Sequence, residues 1–125
     1  MKLDGYNTEV QTRWGKTHAY KQYAEKTKQY SKETWDALTT EMNRILAEFA
    51  NRMNQGKTSD SPEVQTLVKQ LQEHLTEHYY QCTDEILAGL GQMYVLDKRF
   101  QSNIDRHATG TAEFISKAIK IYCKK

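Results

Sequence analysis

The sequence predicts an all-α domain, a bundle of roughly five to seven helices. Three observations carry this reading. Apolar residues recur at three- and four-residue spacing over long windows, as along Trp35, Leu38, Met42, Ile45, Leu46, Phe49 and Met53, a pattern that lines one face of a helix. Residues that cap helix N-termini stand just ahead of these windows: Ser31, Ser61 before Pro62, Thr83 and Asp97. No segment shows the alternation of a strand flanked by hairpin turns. At 125 residues the chain has room for one domain with a real core and none for a second.

The elements follow in order. Residues 1–30 are polar, with the aromatics Tyr6, Trp14, Tyr20, Tyr23 and Tyr30 but few aliphatic groups besides Leu3 and Val10. Two short helices are expected there, near 6–13 and 17–29, broken by Gly15, with Thr17 capping the second. Helices this short are marginal alone in water, so residues 1–30 are expected to form a mobile lid over a helical core of residues 31–125. The longest helix starts after Ser31 and runs to about Gln55, with Gly56 as its stop. Ser61-Pro62-Glu63 opens the next, expected to reach Gln81 with Val64, Leu67, Val68, Leu71, Leu75 and Tyr79 facing inward. Thr83 caps a third, with Asp84 and Glu85 in its first turn, where the helix dipole favours acids. After Thr109-Gly110-Thr111 comes a last helix, with Phe114, Ile115, Ala118, Ile119 and Tyr122 on one stripe.

The stretch from Gly89 to Asp105 organises the rest. Ile86, Leu87, Leu90, Met93 and Tyr94 keep the helical period, Asp97 interrupts it as an N-cap, and Phe100 and Ile104 restart it, so a helical corner is expected. The 31–55 and 61–81 helices are expected to pack around the 83–95 helix. Gly89 and Gly91 lie inside that helix, where each costs roughly 1 kcal/mol relative to alanine. A bare backbone is therefore needed there, for a neighbouring helix or for a ligand.

Composition excludes several classes of function. Eighteen basic and sixteen acidic residues leave a formal charge of +2, and the lysines are spread along the chain, which disfavours nucleic-acid binding by this chain alone. No apolar run approaches the roughly 20 residues of a membrane span, and no signal-peptide core is present, so a cytoplasmic protein is expected. Cys82 and Cys123 are read as reduced thiols.

Several residues offer a chemistry and, beside it, a plainer role. His74-Leu75-Thr76-Glu77-His78 matches the H-x-x-E-H pattern of zinc peptidases, which needs a third ligand such as Glu85 or Asp105. The plainer reading is a pair of surface or pocket-rim histidines. A haem site needs a histidine on an apolar face, whereas His18, His74, His78 and His107 stand in polar contexts. The two Glu-x-x-His pairs of a di-iron site are absent. Cys82, at a junction of two helices, is either a thiol activated by the following helix N-terminus or a small buried filler. Met93, Tyr94 and Phe100 are either core or ligand box. Asn103 and Asp105 either satisfy backbone groups at the corner or contact a ligand. No metal, cofactor or catalytic residue is expected. The functional alternatives are a binding module for a small molecule, a zinc-dependent hydrolase using His74, Glu77 and His78, and a helical protein-interaction domain.

Leu90-Gly91-Gln92-Met93-Tyr94-Val95, with Asp97, Arg99-Phe100 and Asn103-Ile104-Asp105, resembles the TipAS family of antibiotic-binding effector domains, usually found at the C-terminus of MerR-type transcription activators. Arg13-Trp14-Gly15, Thr17, Ala19-Tyr20-Lys21, Thr27-Lys28, Tyr30, Lys32-Glu33, Trp35, Asp60-Ser61-Pro62-Glu63, and Tyr80 with Cys82 extend the resemblance over nearly the whole chain. It implies a globin-like fold and a cleft for a thiopeptide-like or other heteroaromatic antibiotic, in a drug sensor or a free-standing sequestering protein. DNA binding would then belong to a winged-helix domain outside this chain. Members that trap thiopeptides covalently carry a cysteine where this chain has Gly89, so reversible binding is implied. The expected ligand-binding set is Trp14, Tyr20, His74, Tyr79, Tyr80, Cys82, Gly89, Leu90, Met93, Tyr94, Phe100 and Asn103.

Overall fold

A computed structural model describes residues 18–124, with side chains from Lys21 onward. Among these residues there are six helices and no strand: α1 (His18–Thr27), α2 (Lys32–Asn54), α3 (Pro62–His78), α4 (Asp84–Leu96), α5 (Lys98–Asp105) and α6 (Thr111–Cys123). The expected all-α class holds. The helix expected near 6–13, the Gly15 break and the Thr17 cap lie outside the described residues. No helix among the described residues is long and apolar enough to cross a membrane.

Four helices start where side chains predicted. Ser31 Oγ accepts from Thr34 N at 3.1 Å, Ser61 Oγ from Val64 N at 3.4 Å, Thr83 Oγ1 from Ile86 N at 3.3 Å and Asp97 Oδ1 from Arg99 N at 2.9 Å. Each satisfies a backbone donor that the first helical turn leaves open. The chain leaves α2 through Gly56 and enters α6 through Gly110, both at positive φ, which glycine adopts without a Cβ clash. Gly110 supplies no side-chain cap to α6. Asp105, at the end of α5, does so from a distance, its Oδ1 accepting from Ala112 N at 2.9 Å. Of the two roles open to Asp105, it takes the one that satisfies the backbone.

The core differs from expectation in its centre. The C-terminal helix α6 is the one the others pack on: α4 most extensively, then α3, α2 and α5. Thr111, Ala112, Ile115, Ala118 and Ile119 of α6 are all buried. All but Thr111 join Ile45 and Phe49 of α2, Val64, Val68 and Leu71 of α3, and Leu87 and Met93 of α4 in one apolar cluster. The expectation that α4 is the central helix is corrected for a steric reason. A Cβ built on Gly91 of α4 falls 3.1 Å from Ile119 Cγ2 and 3.3 Å from Ile119 Cβ, so the bare backbone at Gly91 accommodates a neighbouring helix. Gln65 adds a polar tie, its amide donating to Ser59 O at 2.9 Å and to Ala118 O at 3.1 Å.

The second correction is at the end of α3, which stops at His78, three residues short of Gln81. Leu75 O accepts from both Tyr79 N and Tyr80 N, closing the last turn. The chain then folds back, with Thr76 Oγ1 accepting from Cys82 N at 3.1 Å and the Gln72 amide donating to Cys82 O at 2.8 Å and to Asp84 Oδ1 at 2.9 Å. Tyr122 of α6 donates its hydroxyl proton to Gln72 Oε1 at 2.9 Å. Side-chain bonds of α3 itself thus compete with further helix for the backbone of Cys82.

Candidate functional site

A cleft of about 150 Å³ lies where five helices meet. Its floor is the buried set Leu46, Leu75, Tyr80, Leu90, Met93, Tyr94, Phe100 and Ile104. The rim is more polar. From α2 come Trp35, Thr39, Met42 and Asn43, from α1 comes Tyr23, from the end of α3 Tyr79, and from α5 and its end Asn103 and Arg106.

The floor exists because α4 turns into α5 at Asp97. That corner lays Tyr94 against Phe100 with ring centroids 6.0 Å apart. Both rings are buried, yet both face the cleft, so core and cleft are two sides of the same residues. Helix α2 solves a similar problem with two stripes. Leu38, Ile45 and Phe49 bury against the core, while Trp35, Thr39, Asn43 and Leu46 follow one another at roughly helical-turn spacing along the cleft.

The rim is an aromatic cluster centred on Tyr79. Tyr23 stacks on it at 6.1 Å with 15° between planes, Trp35 lies at 6.0 Å and His74 meets it edge-on at 5.9 Å. Tyr30 packs edge-on against Trp35 at 5.3 Å. Burial, reinforced by Tyr23 and Tyr30, pushes the Tyr79 hydroxyl up to about 12. Burial likewise raises Tyr80 well above its ordinary value, Cys82 and Tyr94 adding to it. Both rings stay neutral at physiological pH and present a flat apolar face with a polar tip.

The α1 helix is held over this rim by groups that cap the end of α3. Lys26 Nζ donates to Thr76 O at 2.6 Å and to Glu77 O at 3.4 Å, and the Tyr30 hydroxyl donates to His78 O. Gln22 Oε1 accepts from Gln81 N at 2.7 Å. The carbonyls in question are those a helix C-terminus leaves without partners.

The expected site residues divide as follows. Tyr79, Tyr80, Leu90, Met93, Tyr94, Phe100 and Asn103 line the cleft together. His74, Cys82 and Gly89 do not line it. Trp14 and the side chain of Tyr20 lie outside the described residues. Tyr23, Trp35, Thr39, Met42, Asn43 and Arg106 line the cleft without having been singled out. For α2 a signal was present: Trp35, Thr39 and Asn43 recur every four residues beside the core stripe.

Two expectations are corrected here. Cys82 is buried, and burial pushes its thiol up to about 12, with Cys123 and Asp84 contributing. It is the small buried filler, since a thiol so shifted holds almost no thiolate at neutral pH. His74 is neither in a polar context nor at the surface. It is 6% exposed, its Nε2 has no hydrogen-bond partner, and burial first and His78 second hold it below its ordinary pKa. Its ring lies 5.0 Å from that of His78. Among the described residues no group of three or more histidines, cysteines or carboxylates is placed to hold a metal ion.

Comparison with known proteins agrees with this architecture. The chain is 36% identical over 116 residues to the HTH-type transcriptional activator TipA of Streptomyces coelicolor, covering 93% of this chain and 46% of that protein. It is 35% identical over 118 residues to the HTH-type transcriptional activator mta of Bacillus subtilis, covering 94% and 45%. The chain therefore spans less than half the length of these relatives. A solved structure of Streptomyces lividans TipAS in complex with nosiheptide, from a thiopeptide antibiotic multidrug resistance system, superposes with a TM-score of 0.87 at 34% identity, covering 99% of this chain and 87% of that one. The family model for the TipAS antibiotic-recognition domain matches residues 6–122. The family-model match over residues 6–122, together with 34–36% identity to TipA, mta and TipAS, makes the chain a member of the TipAS antibiotic-recognition domain family.

Proposed function

We propose that the cleft binds antibiotics or other heteroaromatic drug-like molecules reversibly and without catalysis. The domain would serve as the effector part of a MerR-type activator or as a free-standing sequestering protein in the cytoplasm. The observation that carries this reading is the lining itself: an apolar aromatic floor with a few polar groups at the rim, the composition of small-molecule sites generally. DNA contact belongs, on this reading, to a winged-helix domain outside the chain.

Binding is non-covalent because no activated thiol is available. Gly89 stands where the resemblance places the trapping cysteine, and Cys82 is buried and fully protonated. Intact mass spectrometry after incubation with nosiheptide is expected to return the unmodified mass while thermal shift reports binding. A stable adduct would overturn the reversible reading, and no shift with any thiopeptide or heteroaromatic drug would overturn the cleft as a drug site.

We further propose that α1 is the lid, the described part of the lid expected over residues 1–30. At about 150 Å³ the cleft is smaller than the roughly 300–1,000 Å³ of a site for a drug-sized ligand, so it has to widen. The element to move is α1, held among the described residues by hydrogen bonds at its edge and by Tyr23, which stacks on Tyr79. Reclosing Tyr23 over a flat ligand would offset part of the entropy of ordering the helix. That gives a drug a route to whatever is joined at the N-terminal side.

A further inference from the structure

We infer that the cleft prefers ligands whose flat aromatic body ends in an anionic group, a carboxylate, sulfonate or phenolate, read by Arg106. The inference rests on the cleft being a ligand site and adds the charge class of what enters. Arg106 is the charged residue among those lining the cleft. It forms no ion pair among the described residues; its Nε donates to Asn103 O at a long 3.4 Å. The neighbouring cation Arg99 is different, its guanidinium closed onto Asp97 at 2.8 Å. Asp105, next to Arg106 in sequence, has its Oδ1 engaged with Ala112 N at the start of α6. Among the described residues no carboxylate lines the cleft.

The rest of the rim agrees with the sign of this charge. Thr39, Asn43 and Asn103 each carry a hydrogen-bond donor. The Tyr79 and Tyr80 hydroxyls stay protonated. Among the described residues, an anionic group at the mouth meets one guanidinium and neutral donors and no carboxylate, whereas a cationic ligand meets Arg106 with no acid beside it. The apolar floor beneath supplies stacking area but no charge discrimination, so the sign of the ligand is decided at Arg106.

Two commercial fluorophores that share an anilinonaphthalene body test this: anilinonaphthalene sulfonate, which is anionic, and neutral N-phenylnaphthylamine. Titrated against the protein at low salt, the sulfonate is expected to bind roughly two- to fivefold tighter, the scale of an exposed charge pair. The preference should shrink as salt screens it. Arg106→Gln should weaken the sulfonate by that factor and shift the neutral probe far less, Arg106→Lys should retain the preference, and Arg99→Gln should change neither. Equal affinity for both probes, or an Arg106→Gln variant that keeps the preference, overturns the inference and leaves the cleft intact as a ligand site. Thr39→Trp, which fills the cleft, separates the two failures. If it leaves both probes bound as before, or if neither binds the unmodified protein, the cleft reading itself falls and this inference with it.

Discussion

Helices α1 and α6 sit at opposite extremes of the same small domain. The 13 residues of α6 contribute five buried side chains and pack on four other helices. The 10 residues of α1 contribute no buried side chain from Lys21 onward. Among the described residues it is attached through Tyr23, half-buried against the core and stacked on Tyr79, through Gln22 to a backbone amide, and through Lys26 with the nearby Tyr30 on the last carbonyls of α3. The difference teaches what each kind of bond is for. Buried aliphatic area cannot be exposed without unfolding the domain, whereas hydrogen bonds at an exposed edge exchange readily for water at about 1 kcal/mol each.

The strongest way to break this comparison is Ile115→Ala in α6. Removing a fully buried side chain is expected to cost about 2–4 kcal/mol, read as a lower urea midpoint. Amide exchange in α6 should accelerate by the same free energy, while α1, opening locally, should keep its rate. If α1 accelerates in step with α6, the two helices open together and the lid assignment fails.

Gly91→Ala comes next. Alanine adds roughly 1 kcal/mol of helix propensity, but its Cβ meets the buried, branched Ile119, and overpacking of that kind costs about 1–3 kcal/mol. A net loss on the order of 1 kcal/mol is expected in thermal melts. A more stable variant would mean that α6 can yield where the comparison says it cannot.

A pH effect probes the end of α3, to which α1 is tied. His74 is held below its ordinary pKa of 6.5 by burial and by His78, so the unfolded chain binds its proton at a higher pH than the folded one. Stability is therefore complete above about pH 7 and falls as the pH drops through 6.5 toward the folded value. His74→Leu should flatten the dependence of melting temperature on pH in that window. An unchanged slope would show that another group titrates.

The smallest effect is expected from Lys26→Ala. Loss of an exposed cap on the carbonyls of α3 should leave the global melt within about 0.5 kcal/mol while speeding exchange in α1 alone. A large drop in global stability would make α1 part of the core.

Much of this design is readable in the chain itself. Ser31, Ser61 with Pro62, Thr83 and Asp97 start helices wherever they precede an apolar stripe, because the cap and the stripe interact within one turn of backbone. The Phe100 and Tyr94 pair, and with it half of the cleft floor, follows from the same local rule at the Asp97 corner. The other residues depended on packing beyond a single helical turn. Ile119 against Gly91 and His74 sealed inside a polar-looking sequence depend on elements far apart in the chain, while Asp105 capping α6 and Gln72 holding Cys82 reach across turns that helical periodicity does not register. Local periodicity says that a face is apolar, but not which neighbour covers it. Leu46 and Trp35 share a helix with Phe49, and only the arrangement of α3, α4 and α5 around them decided which side became core and which became cleft, since a side chain is buried by whatever stands against it and not by its own identity.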